Sequence, residues 1–151
     1  MHPSVHAKAH PDKPAIVMAG SGETVTYAEL DRRSNQVAQL LRARGIKTGE
    51  TVALCMENHP WFFCLTWGFQ RAGVHYVCIS SRLTAPELAY ILEDSAAKLL
   101  FGSAYLAPLL DEVAKLEPDV PQLRLGLDAE AALAAMPTTP IPDERAGVDM
   151  L

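Results

Sequence analysis

The stretch ISSRLTAPELAYILEDSAAKLLF, residues 79–101, runs from the end of one apolar segment through a periodic segment into the next apolar segment. Thr84 and Glu87 stand three residues apart in T-A-P-E, the sequence pattern of a capping box at a helix start. Apolar residues then recur at helical spacing as far as Ser95. The stretch therefore predicts a strand, a helix and a second strand, with Arg82 alone in the turn that precedes the helix.

The same alternation of strands and helices extends in both directions along the chain. Continuous apolar runs without polar alternation are typical of strands that are covered on both faces of a parallel sheet. The predicted strands are TVALCM at 51–56, VHYVCIS at 74–80 (the next buried strand), KLLF at 98–101 and QLRLGL at 122–127. Helices are predicted between them, and AEAALAAM adds a short one at the end. Parallel strands joined by helical crossovers predict an α/β fold, a doubly wound, mostly parallel sheet with flanking helices.

The N-terminal part has a different pattern. AIVMA at 15–19 and TVTY at 24–27 flank the turn GSGE and predict a small antiparallel hairpin. A helix should follow, starting with a capping box of Thr26 and Glu29 and ending near Gly45. The histidines 2, 6 and 10 fall four apart and on a helix could bind a metal. Because prolines interrupt this segment at 3 and 11, we expect a solvated segment and no metal site.

Composition limits the classes of function. The 151 residues are 49% hydrophobic and 21% charged, which is typical of one soluble globular domain. The formal net charge of −5 argues against nucleic acid as a partner. No apolar run is long enough for a membrane span or a secretory signal. The three cysteines, Cys55, Cys64 and Cys78, lack C-x-x-C spacing and predict buried thiols in a reducing, cytoplasmic compartment.

Polar residues follow three of the predicted strands: Glu57-Asn58-His59, Ser80-Ser81-Arg82 and Gly102-Ser103. Ligands of open α/β sheets bind at the carboxyl ends of the strands, so Arg82 stands where an anionic ligand is expected. An ordinary solvated loop arginine, or one that caps a helix, is the alternative. No phosphate-binding loop, dinucleotide fingerprint or nucleophile elbow occurs in the chain.

Several motifs, in order, resemble the N-terminal region of the adenylate-forming (AMP-binding) superfamily. They are T-Y-A-E-L, G-x-x-x-G-E-T-V-A-L, R-A-G and R-L-T-x-x-E-L-A-Y-I-L-x-D-S. The similarity runs from about His10 to Phe101 and becomes weaker up to about Leu127. The version V-H-Y-V-C-I-S-S-R-L-T is most similar to fatty-acyl-CoA synthetases.

The resemblance implies an acid–thiol ligase. ATP and a carboxylic acid, in the first place a fatty acid, would form an acyl-adenylate, and coenzyme A would then take the acyl group. ATP, Mg²⁺ and coenzyme A are thus the cofactors expected of the whole enzyme, with an aryl or medium-chain acid as the rival substrate. No catalytic residue or metal ligand is expected in this chain. Arg82 matches the arginine of an N-P-R-L segment that lies near the coenzyme A phosphates in some of these ligases.

The resemblance also implies that the chain is an N-terminal fragment. Residues 1–136 would form the α/β subdomain, and residues 137–151 a proline-rich linker to a phosphate-binding loop that the chain does not contain. We expect such a fragment to be inactive alone, to self-associate and to be most mobile over 128–151. A free-standing α/β binding module without catalysis is the alternative, since a fold alone does not determine function.

Overall fold

Strands and helices alternate along the chain in the predicted order. The computed structural model describes residues 3–146. The strands are β1 (Pro14–Val17), β2 (Thr24–Thr26), β3 (Thr51–Cys55), β4 (His75–Ile79), β5 (Leu100–Ser103) and β6 (Gln122–Leu125). The helices are α1 (Pro3–Ala9), α2 (Tyr27–Ala43), α3 (Phe62–Arg71), α4 (Ala85–Asp94), α5 (Ala107–Leu116) and α6 (Ala129–Ala134), with a 3₁₀ turn at Ala104–Leu106.

The last four strands form one parallel sheet in the order β4-β3-β5-β6. Leu54 pairs with Cys78 on one side and with Phe101 on the other, and Phe101 pairs in turn with Leu123. Strands β1 and β2 form a separate antiparallel hairpin. The sheet is therefore parallel, as the sequence predicts, and the predicted hairpin at the N-terminus is confirmed.

Helices cover both faces of the sheet. Val52 and Leu54 point into a core formed with α2, α3 and α6, whereas Ala53 and Cys55 point into a second core formed with α4 and α5. All four side chains have no measurable exposure. A strand buried on both faces needs apolar residues at every position, which explains the unbroken run TVALCM. The doubly wound α/β fold is thus confirmed.

The two predicted capping boxes differ in the structure. At the start of α4, Glu87 Oε2 accepts hydrogen bonds from the Thr84 backbone N–H at 2.8 Å and from the Thr84 hydroxyl at 2.7 Å. At the start of α2, Thr26 Oγ1 accepts a hydrogen bond from the Glu29 N–H at 3.2 Å. The Glu29 carboxylate does not complete this second box, because it binds two arginines instead.

VHYVCIS forms a strand as predicted, but the prediction that this strand is buried is wrong. β4 lies at the edge of the sheet, where His75, Tyr76 and Cys78 are exposed. Apolar composition alone does not distinguish a central strand from an edge strand, because burial depends on the neighbouring elements. Cys78 is consequently not one of the buried thiols, although Cys55 and Cys64 are.

The N-terminal segment is helical at its start, although residues 8–14 are exposed, as expected of a solvated segment. Residues Pro3–Ala9 form α1, which packs against α2. Proline at the first position of a helix is favourable, since its missing N–H would have no partner there. The His6 ring lies 5.0 Å from the Tyr27 ring, centroid to centroid. His2, the other early histidine of the pattern, lies outside the described residues.

The C-terminal part is anchored at two places: helix α6 packs beside the sheet, and Ile141 is buried, while the other residues of 137–146 are exposed. Ala129 and Leu133 of α6 lie in the core beside the sheet, and Ile141 is only 3% exposed. The expected linker is described up to residue 146, and the rest of it lies outside the described residues. Within residues 3–146, no helix has the length and apolar character that crossing a bilayer requires.

Candidate functional site at the carboxyl edge of the sheet

Strands β3 and β5 bring two polar residues together at their carboxyl ends. Ser103 Oγ donates a hydrogen bond to Glu57 Oε2 at 2.5 Å, across 46 positions of sequence. Ser103 is only 2% exposed, and Glu57 is half-buried. The predicted convergence of these two strand ends is confirmed, although the pairing of the two side chains was not predicted. The hydrogen bond leaves one carboxylate at this edge with a fixed orientation.

His59 serves the local structure here. Its Nδ1 atom accepts a hydrogen bond from the Trp61 N–H at 3.2 Å, and its carbonyl accepts one from the Phe62 N–H at 3.0 Å. These two bonds satisfy donors at the start of α3, which has no side-chain cap of its own. The imidazole is therefore a capping group, while Asn58 beside it is exposed.

Arg82 lies just beyond the carboxyl end of β4 and is exposed. Its backbone N–H donates to Ser80 Oγ at 3.3 Å, which shapes the turn into α4. Among residues 3–146, the guanidinium group forms no ion pair with a carboxylate. An exposed arginine without a protein partner can bind an anion without first breaking an internal salt bridge.

The start of α4 also contributes a negative charge. The backbone N–H and the hydroxyl of Thr84 donate hydrogen bonds to Glu87, which lowers the pKa of that carboxyl group. Glu87 is therefore ionised at neutral pH and already occupies the positive end of the helix. Attraction of an anion at this edge consequently depends on Arg82 rather than on the helix dipole.

Ligands for Mg²⁺ are not assembled at this edge among residues 3–146. Within the described residues, no three histidine, cysteine or acidic side chains lie close enough to hold a metal ion. The two carboxylates described at the edge are already hydrogen-bonded, Glu57 to Ser103 and Glu87 to Thr84. The described residues therefore do not fit a Mg²⁺ site, and no chemical step is routed through that ion.

Two surface cavities lie away from this edge. One, of about 540 Å³, lies beside β6 and is lined by residues that include Gln122, Arg124 and Asp128. The other, of about 390 Å³, is lined by residues at the amino ends of the strands, among them Glu50 and Lys98. Arg82 lines neither of these two cavities.

A buried arginine is the functional candidate that the sequence did not reveal. Arg71 appeared only as part of the R-A-G motif, yet it is 1% exposed and contacts two carboxylates. A charged residue between buried apolar ones in an aromatic helix was the available signal. The partner Glu144 lies 73 positions away, so no local pattern could identify it.

Comparison with known proteins identifies the family. Residues 4–147 match the model of the AMP-binding enzyme family. The chain is 37% identical over 107 residues to the long-chain-fatty-acid–CoA ligase FadD13 of Mycobacterium tuberculosis, covering 71% of the chain and 21% of that protein. It is 34% identical over 116 residues to the fatty acid–[acyl-carrier-protein] ligase ScoC of Streptomyces coeruleorubidus, covering 77% of the chain and 22% of that protein.

Comparison with solved structures points to the same family. A solved Mycobacterium tuberculosis fatty acyl CoA synthetase superposes with a TM-score of 0.85 at 30% identity, over 97% of this chain and 30% of that one. The chain spans about a fifth of the length of the two curated relatives named above. The match covers the hairpin, the parallel sheet and the helices on both of its faces. The chain belongs to the AMP-binding enzyme family and has the fold of its N-terminal region.

Proposed function

We propose that the chain is the N-terminal part of an ATP-dependent acyl-CoA synthetase. The longer protein would activate a carboxylic acid, in the first place a fatty acid, as acyl-AMP and transfer it to coenzyme A. The observation that carries this proposal is the family match over residues 4–147, together with the similarity to a long-chain-fatty-acid–CoA ligase. In this proposal residues 1–136 form the subdomain, 137–151 lead into the next part, and the protein is cytoplasmic.

In this proposal the described residues support the adenylation reaction but do not carry it out. A carboxylate reacts poorly with a thiol until a good leaving group is attached, and ATP supplies AMP as that group. The metal that stabilises the transferring phosphate would come from parts of the protein beyond this chain, since the described residues assemble no metal-holding group, and we assign the cationic groups to those parts as well. The 151-residue chain alone is therefore proposed to be inactive.

The test is ATP–pyrophosphate exchange measured with the longer protein and with the 151-residue chain. We expect exchange with long-chain fatty acids in the longer protein and none in the chain alone. Exchange with aryl acids only would favour the aryl ligase. If no acid supports exchange, the non-catalytic binding module becomes the better proposal. Exchange by the 151-residue chain itself would refute its assigned role.

The acceptor of the acyl group needs its own measurement. The similarity to a fatty acid–[acyl-carrier-protein] ligase supports an alternative in which a carrier-protein thiol replaces coenzyme A. Both acceptors end in a thiol, so the adenylation step does not distinguish them. Thioester formation with coenzyme A and with a phosphopantetheinylated carrier protein, followed side by side, separates the two. A fatty-acyl thioester formed on coenzyme A supports the synthetase.

Arg82 has a defined role in the proposal, as a cation for a phosphate of the coenzyme A nucleotide. Its exposure, its lack of an ion pair among the described residues and its place at the end of β4 support this role. An exposed charge contact contributes up to about 1 kcal/mol, so Arg82→Ala should raise KM for coenzyme A by roughly two- to fivefold. ATP–pyrophosphate exchange should not change, because coenzyme A enters after adenylation.

A matched control removes the same charge elsewhere. Arg44 is exposed and lines the cavity at the amino ends of the strands, at the edge of the sheet opposite to Arg82. Arg44→Ala should leave KM for coenzyme A unaltered. Added salt should raise this KM more steeply in the wild type than in Arg82→Ala, since salt screens exposed charges. An Arg82→Ala variant with the wild-type KM would rule out the contact.

A further inference from the structure

Arg71, the last residue of α3, is a fully buried charge. Its Nη1 atom donates a hydrogen bond to Asn35 Oδ1 at 2.6 Å and a second one to Glu144 Oε1. Its Nη2 atom donates to Asp31 Oδ1. Removing a guanidinium from water is costly unless carboxylates compensate it, and two carboxylates do so here. One of them belongs to α2, and the other belongs to the C-terminal part of the chain.

That C-terminal part, residues 137–146, is called the strap below. Side chains of α2 hold its beginning and middle: Gln39 Nε2 donates to the Thr139 carbonyl at 2.9 Å, and Arg42 binds Asp143 at 2.8 Å. Ile141 lies in the core between these two contacts. The strap is thus attached by both polar and apolar contacts to a helix that is about a hundred positions earlier in the chain.

The end of the strap is attached to α3. The Arg145 N–H donates to the Arg71 carbonyl at 2.9 Å, so Arg71 holds the strap with its backbone as well as its guanidinium. A Cβ atom at Gly73 would lie only 2.7 Å from Cδ of Arg145, so the strap passes close to a residue without a side chain. The strap therefore contacts the end of α3 through a backbone hydrogen bond to Arg71 and through the Arg145 side chain beside Gly73.

Stability alone does not explain a charge at this position. The Nε atom of Arg71 is buried without a hydrogen-bond partner among the described residues, which costs free energy. An apolar residue of similar volume commonly stabilises a core at least as well as a buried ion pair does. Ion pairs differ from apolar contacts in requiring one particular placement of their partners. The contacts of Arg71 therefore favour one position of Glu144 over other packings of the strap.

We propose that Arg71 is a positioning residue, which locks the strap onto α2 and α3 and so fixes where the chain continues from Ala146 relative to the sheet. The effect of this lock on catalysis rests on the proposed function. If a phosphate-binding loop follows in the longer protein, Arg71 sets the position of that loop without touching the substrates. Arg71 would then affect the rate of adenylation rather than the affinity for the acid.

The first experiment is hydrogen–deuterium exchange of the protein with Glu144→Gln, which removes the negative charge of Glu144 but keeps the shape of its side chain. We expect the amides of Glu144 and Arg145, which donate to the carbonyls of Ile141 and Arg71, to exchange at least tenfold faster, while β3 and β5 exchange as in the wild type. The matched control is Asp111→Asn. It removes a carboxylate from the 2.6 Å ion pair with Arg124, away from the strap, and should leave strap exchange unchanged.

Two results would overturn the proposal. Wild-type exchange of the strap in Glu144→Gln would mean that the ion pair does not hold it. Faster exchange of every segment alike would mean that the ion pair supports the whole fold and does not position the strap. Arg71→Met, a second variant, should loosen the strap further if it folds. If it does not fold, Glu144→Gln decides.

The kinetic consequence is measured separately. In the longer protein, Glu144→Gln should lower kcat of ATP–pyrophosphate exchange by about tenfold or more with KM for the acid unchanged. A wild-type protein without any exchange refutes the proposed function, yet the hydrogen exchange result still tests the lock. A loosened strap with unchanged kcat in an active enzyme would refute the role in positioning the loop.

Discussion

Glu29 holds two guanidinium groups with one carboxylate. Arg32 and Arg33 approach it at 2.6 and 2.5 Å, and the pKa falls from its ordinary 4.5 to about 2, chiefly through the Arg32 hydrogen bond and despite partial burial. A depressed pKa in the folded state means that the folded protein binds this proton less readily than the unfolded chain. The stabilisation is therefore complete above pH 4.5 and is lost as the pH falls toward 2.

Glu29→Gln should lower the free energy of unfolding at pH 7, and the difference from the wild type should shrink progressively between pH 4.5 and 2. Urea unfolding at a series of pH values measures this difference. Glu93→Gln is the control, since Glu93 is exposed and its side chain forms no ion pair within residues 3–146. A difference that stays constant across this range would contradict the assigned pairing.

Individual residues of the candidate site were predictable to different degrees. The placement of Arg82 and Ser103 at one edge of the sheet follows from the predicted ends of the strands, because the carboxyl ends of parallel strands lie at the same edge. The bond between Ser103 and Glu57 depends on which strands are neighbours, and the strand order is not contained in short patterns. The same reason hides Arg71, whose partners Asp31 and Glu144 are brought together only by the folded chain.

Helices α2 and α3 pack closely because α3 has a glycine at their contact. A Cβ atom at Gly68 would overlap the Val37 side chain and lie 2.9 Å from the Ser34 carbonyl oxygen. Val37 is completely buried, so it has no free space into which to move. Gly68→Ala should therefore destabilise the fold by about 1–3 kcal/mol through overpacking, even though alanine is the better helix former by about 1 kcal/mol.

Urea unfolding measures the effect of Gly68→Ala, with Gly20→Ala as its control. A Cβ atom at Gly20 would meet nothing within 4 Å, so that substitution should change the free energy of unfolding by less than about 0.5 kcal/mol. If Gly68→Ala were neutral or stabilising, the separation of α2 and α3 would not be limited by this contact, and helix propensity would dominate.

For strands and helices, the sequence pattern predicted the type of each element better than it predicted how far the element is buried. TVALCM and KLLF overlap β3 and β5, which are covered on both faces, so their apolar runs correctly indicated burial. VHYVCIS is equally apolar but forms the edge strand β4. Local patterns also missed α1, because its stability comes from packing on α2 rather than from its own short sequence.

The whole sheet has an unprotected edge at β4. Among the described residues this strand pairs with β3 alone, and its sequence HYVCI has no lysine, acidic residue or proline to discourage pairing with another chain. Tyr76 is 44% exposed on the same strand. We therefore expect the 151-residue chain to self-associate through this edge, so that its apparent mass in light scattering rises with protein concentration.

Cys78→Lys should reduce this association, because Cys78 is exposed on the edge and a lysine there opposes edge-to-edge pairing. Tyr90→Lys is the control, since Tyr90 is 65% exposed on α4 and the substitution adds the same charge away from the edge. A reducing agent in all samples excludes disulfide-linked dimers through Cys78. Equal association in both variants would place the contact elsewhere on the molecule. A wild-type chain that stays monomeric at every concentration would contradict the predicted self-association.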